Sequence, residues 1–288
     1  MKTNMKSVNL AFILLLAIGI CSCTEESKET ASTAEAEIVT PTNQVVLSTE
    51  IEWQKLNPAR GDQSPQAGTI WGDRNGSPAT GFLAKFVDGF SSPPHIHNVT
   101  YRAMVIKGLI HNDDPAAEKM WMPAGSFWTQ PAGEAHITAA QGEEVVAYVE
   151  IDSGPYLVKP TEQAFDNGER PINVDKGNLI WLDASETTMI DAKSDAEMAF
   201  LWENKGTVGR LVKLPADFDG EIHTTGAVLH AVVITGEAEY KMPESGEIKF
   251  LDPGSYFTST GKAVHSVKTK PTAGAMIYIR TNGEIKIL

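Results

Sequence analysis

The 288-residue chain contains two cysteines, Cys21 and Cys23, and none after them. Residues 24–288 can therefore form no disulfide, and they offer no thiolate to a metal or to nucleophilic catalysis. The formal net charge is -13, and no segment is rich in lysine or arginine. Because a phosphate backbone requires a basic surface, the sequence predicts no nucleic-acid partner. Gly-rich phosphate-binding loops and the Gly-x-Ser-x-Gly motif are also absent from the sequence.

The chain has one long apolar run, Leu10–Ile20, which is too short to span a bilayer, since that takes about 20 residues. Two lysines precede this run, and Ile20-Cys21-Ser22-Cys23 follows it. The order is typical of an export signal, and the end resembles the bacterial lipobox with an acylated Cys23. We therefore predict a lipoprotein signal peptide over residues 1–22. The mature protein is expected in the cell envelope, as a periplasmic or outer-membrane lipoprotein that touches the membrane only through its lipid.

Residues 23–45 are rich in Thr, Ser, Ala and Glu and contain almost no large apolar side chain, which predicts a disordered tether. From residue 46 onward, short runs rich in Val, Ile, Phe and Trp are separated by Gly, Pro, Asp and Asn, as in Gly81–Val87 and Val145–Ile151. Such runs predict β-strands, and many short strands predict a sandwich or a barrel. The predicted fold class is all-β.

An internal repeat divides the rest of the chain. Placing His95 on His223 aligns the surrounding residues without a gap, and His136 falls near His265 at almost the same offset of about 128 residues. A register held over such a length indicates two copies of one β unit of ordinary domain size. The predicted copies span residues 46–165 and 166–288.

Three histidines of the first copy have the spacing of a metal site. The segment Gly89–His97 ends in a His-x-His pair, and Gly125–His136 contains Pro-x-Gly-x-x-His. Side chains alternate across a strand, so His95 and His97 point the same way, and a turn before His136 can deliver a third imidazole. Because neutral imidazole binds zinc, iron, copper and nickel, these three histidines are the predicted metal ligands.

These motifs resemble those of the cupin superfamily: Gly, five residues, His-x-His, and later Gly, five residues, Pro-x-Gly-x-x-His. The resemblance covers nearly everything after residue 45. Together with the repeat, it implies two tandem cupin barrels of the double-stranded β-helix or jelly-roll type, a bicupin. The stretch Pro93–Tyr101 resembles a bacterial two-cupin family of unknown function, and it is also similar to ChrR-type cupin modules of anti-sigma factors and to acetylacetone dioxygenase.

The glutamate of the cupin motif is replaced here by Tyr101 or Arg102. The resemblance thus implies three histidines without a carboxylate, which leaves the ion its full charge and open positions. Iron(II) is the favoured cofactor, as in acetylacetone dioxygenase, with zinc, manganese and nickel as alternatives. The other interpretation is a metal-free site whose histidines hold a ligand by hydrogen bonds.

Tyr101 and Arg102 are the candidate catalytic residues. Adjacent residues of a strand face opposite sides, so only one of the two should point into the barrel. An inward Arg102 could bind a carboxylate or enolate, and an inward Tyr101 could act as an acid or hydrogen-bond donor. The alternative is a core tyrosine beside a surface arginine.

The second copy keeps fewer motif residues. Thr225 replaces the second histidine of the pair, while His230 matches Arg102. We predict His223, His230 and His265 as a candidate replacement triad, with a purely structural or ligand-binding copy as the alternative.

The resemblance implies a metal-dependent dioxygenase that acts on a small oxygenated molecule, such as a dicarbonyl that chelates the ion. A non-catalytic small-molecule sensor or binding lipoprotein is the alternative from another class, and a sugar isomerase or hydrolase is a third. Cupins often pair through sheet edges, so a homo-oligomer is a further expectation.

Overall fold

Antiparallel strands form almost all of the regular structure. A computed structural model describes residues 43–288, with 52% strand and 6% helix, which confirms the all-β prediction. No described helix is long and apolar enough to cross a membrane. The predicted signal peptide, Cys23 and the tether up to residue 42 lie outside the described residues. The helices are short 3-10 turns: Ser48–Glu50, Pro58–Gln63, Thr161–Gln163 and Lys176–Asn178.

The strands are numbered in chain order. The first eleven are β1 (Asn43–Val46), β2 (Gln54–Lys55), β3 (Gln66–Trp71), β4 (Thr80–Phe86), β5 (Ile96–His97), β6 (Tyr101–Asp113), β7 (Met122–Pro123), β8 (Phe127–Gln130), β9 (Ile137–Ile151), β10 (Val158–Lys159) and β11 (Ile172–Val174). The other ten are β12 (Glu197–Asn204), β13 (Thr207–Leu214), β14 (Asp219–Thr224), β15 (Val228–Gly236), β16 (Ala238–Lys241), β17 (Ile248–Leu251), β18 (Tyr256–Thr260), β19 (Ala263–Thr269), β20 (Ala275–Thr281) and β21 (Ile285–Ile287).

These strands form four sheets, which we group into two halves. The first half contains an eight-stranded sheet, with β7 beside β6 and the order β11-β8-β6-β9-β4-β3-β2, and a two-stranded sheet of β10 and β5. The second half contains a six-stranded sheet of order β1-β18-β15-β20-β13-β12 and a five-stranded sheet of order β17-β16-β19-β14-β21. The halves therefore exchange strands, because β1 lies in the second half and β11 in the first.

This exchange corrects one predicted boundary. Residues 43–45 were assigned to the tether, but they pair with Thr258 and its neighbours in β18. Without β1, β18 would be an unpaired edge strand. Pairing with β1 gives hydrogen-bond partners to the free N–H and C=O groups of β18 and so stabilises both strands. Similarly, β11 falls in the predicted second copy but pairs with β8 of the first half.

Side chains that alternate along the strands fill three separate apolar clusters. On β6, Tyr101 and Val105 belong to a cluster inside the first half. Their neighbours Met104 and Ile106 face the other way, into a cluster that contains residues of both halves. A third cluster fills the interior of the second half. One face of each large sheet thus surrounds an interior, and the other face packs between the halves.

The tryptophans of the repeat lie in equivalent places between the halves. Trp71 Nε1 donates to the Tyr148 hydroxyl at 3.1 Å, and Trp202 Nε1 donates to the Tyr278 hydroxyl at 3.0 Å. Each indole also covers a glycine, since a Cβ on Gly81 or Gly209 would lie 2.1 or 2.0 Å from the indole nitrogen. Only glycine leaves room for an indole this close to the strand. Gly81 on β4 and Gly209 on β13 therefore mark equivalent positions in the two copies of the repeat.

Glu150 is fully buried between the halves. It accepts hydrogen bonds from the hydroxyls of Tyr148 at 2.8 Å and Tyr278 at 2.7 Å, and it pairs with Arg280 at 3.2 Å. A carboxylate without such partners would be very costly to bury, so the two halves are mutually dependent at this point.

Candidate metal centre

His95 and His136 lie side by side on neighbouring extended segments. Each backbone N–H donates to the carbonyl of the other residue at 3.0 Å. His97, two residues after His95, points to the same side from β5. One ring nitrogen from each of the three histidines lies within 4.8 Å of the others. The structure therefore brings the three predicted metal ligands together.

A tight turn places His136 beside the other two histidines. Gly133 has φ of 80°, and a Cβ there would lie 2.4 Å from the Phe165 carbonyl oxygen. Only glycine fits both conditions. Its N–H donates to the His97 carbonyl at 2.8 Å, which fixes the turn against the His-x-His segment. This contact is the physical reason for the glycine in the Pro-x-Gly motif.

Backbone carbonyls fix the tautomers of two of the histidines. His95 Nδ1 donates to the Pro93 carbonyl at 2.9 Å, and His136 Nδ1 donates to the Glu134 carbonyl at 3.1 Å. Each Nε2 therefore carries a lone pair. Such a carbonyl behind a metal-binding imidazole sets both the tautomer and the direction of the ring.

His97 is the most enclosed of the three. It stacks on Tyr156 with ring centroids 4.4 Å apart, and its Nε2 lies 3.2 Å from the Tyr156 hydroxyl. Its Nδ1 is buried without a hydrogen-bond partner. The Leu157 carbonyl nevertheless acts on this ring, although it does not meet the geometry of a hydrogen bond to Nδ1.

All three imidazoles are held neutral. Burial lowers the pKa of His95, and it lowers the pKa of His136 to about 3, with the neighbouring His95 adding to the effect. The pKa of His97 is well below its ordinary value because the ring is buried and because His136 and His95 are close. Neutral imidazole is the form that binds a metal ion, so no proton has to be displaced at pH 7.

Tyr101 projects from β6 into the same interior, and its proton has a defined acceptor. The hydroxyl donates to Asn112 Oδ1 at 2.9 Å. The amide orientation is set by a chain of bonds, because Asn112 Nδ2 donates to Gln130 Oε1 and Gln130 Nε2 donates to the Glu134 carbonyl. The Tyr101 oxygen therefore presents lone pairs, not a proton, to its other neighbours.

The contact between Tyr101 and His136 indicates whether the site suits a cation. Tyr101 Oη lies 3.4 Å from His136 Nε2, and both atoms carry lone pairs. Two such atoms repel each other unless a positive centre lies near both. Together with the close grouping of the three imidazoles, this arrangement fits a divalent ion held by three neutral nitrogens. The donor set suits zinc, iron, manganese or nickel.

The same bonds revise the predicted role of Tyr101. Burial raises its pKa, so the phenol stays protonated, and its proton points to Asn112. Tyr101 is thus a hydrogen-bond acceptor toward the histidines, whereas the sequence predicted an acid or a donor. Of the two candidates, Tyr101 is the one that occupies the inward position, a choice that the alternation of the strand left open.

Arg102 does not reach the histidines. It faces the other half, where its guanidinium lies 3.8 Å from the Trp202 ring centre and pairs with Asp152 at 3.0 Å. The hypothesis of an inward Arg102 that binds substrate is therefore wrong for this site. The reason is the strict alternation along β6, which sends Arg102 and Tyr101 to opposite faces.

A cavity of about 480 Å³ opens from the histidines to the surface. His95, His97 and Tyr101 line its inner end. Its walls are mainly apolar and aromatic, and they include Phe82, Phe86, Phe90, Trp128, Ala147 and Val149. Arg60 is the single arginine or lysine among the described residues that line it, and its guanidinium lies 4.9 Å from the Phe90 ring centre. A cavity of this size accommodates a small organic molecule.

The predicted triad of the second half is not assembled. Ile222, not His223, pairs with His265, whereas His95 pairs with His136 in the first half. This shift of one residue turns His223 to the other face of the strand, where Nε2 contacts Glu221 at 2.7 Å. The gapless repeat alignment is therefore wrong at this strand, and Ile222 and Thr224 occupy the places of His95 and His97.

The other two histidines of that prediction are also separated. His265 is fully buried, and both of its ring nitrogens are bonded, Nδ1 to the Tyr240 hydroxyl at 2.8 Å and Nε2 to the Ser259 hydroxyl at 3.1 Å. His230 faces the first half and stacks on Trp71 with centroids 4.0 Å apart. Within the part of the chain that the structure describes, the three first-half histidines form the one group spaced for a metal.

Two residues at the site have no signal in the sequence. Asn112 orients Tyr101 from the far end of the same strand, because β6 is long enough to carry both. Tyr156 reaches His97 from the segment after β9, a contact that depends on tertiary folding. Tyr101 and Asn112 are eleven residues apart, an odd spacing that would place them on opposite faces of a regular strand. Two bulges in β6 lie between them, and the sequence does not reveal those bulges.

Solved structures of other proteins share the fold of this chain. The chain is similar to a proposed dioxygenase from Nostoc punctiforme, with 14% identity and a TM-score of 0.64 over 85% of this chain and 86% of that one. It is similar to YlbA from E. coli, with 11% identity and a TM-score of 0.57 over 83% and 90% of the two chains. It is also similar to the oxalate decarboxylase of Lactobacillus farciminis, with 9% identity and a TM-score of 0.56 over 86% and 88%.

At such identities these likenesses establish the fold, so the chain is a protein of the cupin fold with a three-histidine cluster. Its family is defined by sequence. Residues 44–288 match the domain of unknown function DUF4437, and the chain belongs to that family. No curated protein matches its sequence significantly.

Proposed function

We propose that the chain is a bicupin whose first half is a metal-dependent dioxygenase for a small oxygenated organic molecule. One observation carries the proposal: three neutral imidazoles without a carboxylate are grouped together, and two of them, His95 and His97, line an apolar cavity. His95, His97 and His136 would hold the ion. A divalent ion supplies Lewis acidity there, and iron(II) also supplies electrons for reaction with dioxygen.

The residues of the chain perform two further tasks in this proposal. The aromatic walls exclude water, which strengthens electrostatic interactions at the inner end. The Tyr101 oxygen accepts a hydrogen bond from a hydroxyl or enol of the substrate and so orients it. Arg60 at the cavity wall attracts an anionic or strongly polarised group. A dicarbonyl with an apolar body fits all three features.

The dioxygenase proposal is tested by oxygen consumption. The full chain, reconstituted anaerobically with iron(II), should consume oxygen with at least one β-diketone or 2-oxo acid. A His95→Ala/His136→Ala variant should not, while His223→Ala, which alters an outward-facing histidine, should match the wild type. No uptake with any chelating substrate, in protein shown to contain iron, would reject the proposal.

A binding protein without catalysis is the second candidate, and one observation favours it. The described residues that line the cavity include no carboxylate, and Tyr101 directs its proton away from the histidines. The cavity therefore lacks an evident side chain to move a proton. A ligand that raises the melting temperature without turnover would favour this function. The apolar walls do not favour a sugar, and so an isomerase or hydrolase for sugars is not supported.

We also propose that the protein is anchored in the envelope through lipid on Cys23. The support is the apolar run followed by the lipobox-like sequence. Labelling cells with a palmitate analogue should mark the wild type and not a Cys23→Ser variant. Equal labelling of both, or labelling of neither, would contradict the anchor.

A further inference from the structure

The second half carries a cleft of its own, at a place where the first half has an aromatic wall. The cleft has a volume of about 670 Å³ and is lined by Arg210, Lys262 and Lys286, together with Glu284. Cations thus outnumber carboxylates at this surface, although the whole chain has a formal net charge of -13. A local excess of positive charge on an acidic protein favours an anionic ligand.

Arg210 occupies the position of Phe82 in the repeat. Gly81 and Gly209 each lie under an indole, so they mark equivalent points, and Phe82 and Arg210 are the residues that follow them. On β13, Arg210 shares its face with Val212, which belongs to the interior cluster of the second half. The repeat has therefore placed a guanidinium where the first half has an aromatic wall.

The charge of Arg210 is not matched by a partner in contact. Its Nη1 is buried and makes no hydrogen bond. Among residues 43–288 no carboxylate forms an ion pair with the side chain, and Glu203 acts on its charge only from a greater distance. Burial lowers the pKa of Arg210, and the negative charge of Glu203 opposes this effect. An unpaired donor of this kind destabilises the fold unless something outside the chain uses it.

Apolar groups lie beside the charge. Met189, Val208 and Ile285 line the same cleft. Phe200, directly opposite Arg210 on β12, is 57% exposed. A ligand with an anionic head and an apolar body would match both parts. The planar fork of a guanidinium is suited to a carboxylate, which it binds through two parallel hydrogen bonds.

We propose that this cleft binds a small organic carboxylate, with Arg210 holding the carboxylate group and Lys262 and Lys286 adding electrostatic attraction. The site is separate from the three histidines of the first half. It does not depend on a metal ion or on the proposed oxygenase activity.

The test is calorimetric titration of the full chain with three carboxylates: 4-phenylbutyrate, benzoate and succinate. The control ligand is 4-phenylbutanol, the uncharged alcohol that corresponds to 4-phenylbutyrate. At least one carboxylate should bind saturably, the alcohol should not, and added salt should weaken binding. Arg210→Met should weaken binding at least tenfold, while Arg210→Lys should retain part of it. Lys249→Met, which alters a lysine paired with Glu247 away from the cleft, should bind like the wild type.

Two further measurements separate a ligand site from a structural role. Arg210→Met should leave the melting temperature unchanged or raise it, because it removes an unpaired charge. A His95→Ala/His136→Ala variant should bind the carboxylate normally, which distinguishes this cleft from the histidine site. The proposal is overturned if no carboxylate binds, if the alcohol binds as well as the acid, if Arg210→Met binds unchanged, or if that variant is markedly destabilised.

Discussion

Ile222 lies directly opposite His265 in the second half, whereas His95 lies opposite His136 in the first. The sequence repeat aligns His223 with His95, so the two pairings differ by one residue. Because side chains alternate along a strand, this difference buries Ile222 and turns His223 outward. One step in register therefore separates a three-histidine cluster from an aliphatic interior.

We expect one divalent ion per chain. His97→Ala should reduce the metal content to background, because protein sites for such ions ordinarily use at least three ligands and two imidazoles would remain. The matched variant His223→Ala should keep the full content. Elemental analysis of the full chain, purified without chelator, measures both. Two ions per chain, or metal loss in the His223 variant, would contradict the single-site arrangement.

Tyr101→Phe should retain the metal and lower the kcat/KM for oxygen consumption by about 10- to 100-fold, a size typical of residues that orient a metal site. The physical reason is the loss of the oxygen that accepts a hydrogen bond from the substrate. Tyr240→Phe is the control, since it removes another buried hydroxyl at a distance from the first-half histidines. Equal activity of wild type and Tyr101→Phe would exclude the orienting role.

Stability should fall as the pH falls below about 6.5, in part through His265. Burial lowers the pKa of His265 from 6.5 to about 4. Between these values the unfolded chain binds a proton that the folded chain does not, so the free energy of unfolding decreases by up to about 1.4 kcal/mol per pH unit. Urea unfolding at pH 7, 6 and 5 should show a shallower pH dependence for His265→Gln.

Identical slopes for the wild type and His265→Gln would show that another group carries the acid sensitivity.

Glu150→Gln should destabilise the fold by about 3 kcal/mol, because it removes the charge that compensates buried Arg280 between the halves. Glu247→Gln removes an exposed carboxylate paired with Lys249 and should cost less than about 1 kcal/mol. Denaturant unfolding measures both changes. A Glu150 variant as stable as the Glu247 variant would show that Asp152 alone satisfies Arg280.

Much of the first site could be predicted from local sequence. The His-x-His pair fixes two imidazoles on one side of a strand, and the glycine of the Pro-x-Gly turn fixes where His136 returns. The sequence did not decide whether Tyr101 or Arg102 points into the barrel. Alternation shows that adjacent residues face opposite sides of a strand, but it does not show which side is the interior. Packing against Trp202 and Asp152 decided it.

The all-β class, the repeat and the grouping of the three first-half histidines follow from the amino-acid sequence, since each depends on periodicity or on spacing within a short segment. Tertiary structure alone decided the pairing of β14 with β19, the approach of Tyr156 to His97 and the unpaired charge of Arg210. Those features depend on which strands pair and in what register. The local sequence pattern of a segment does not specify its contacts with a distant segment.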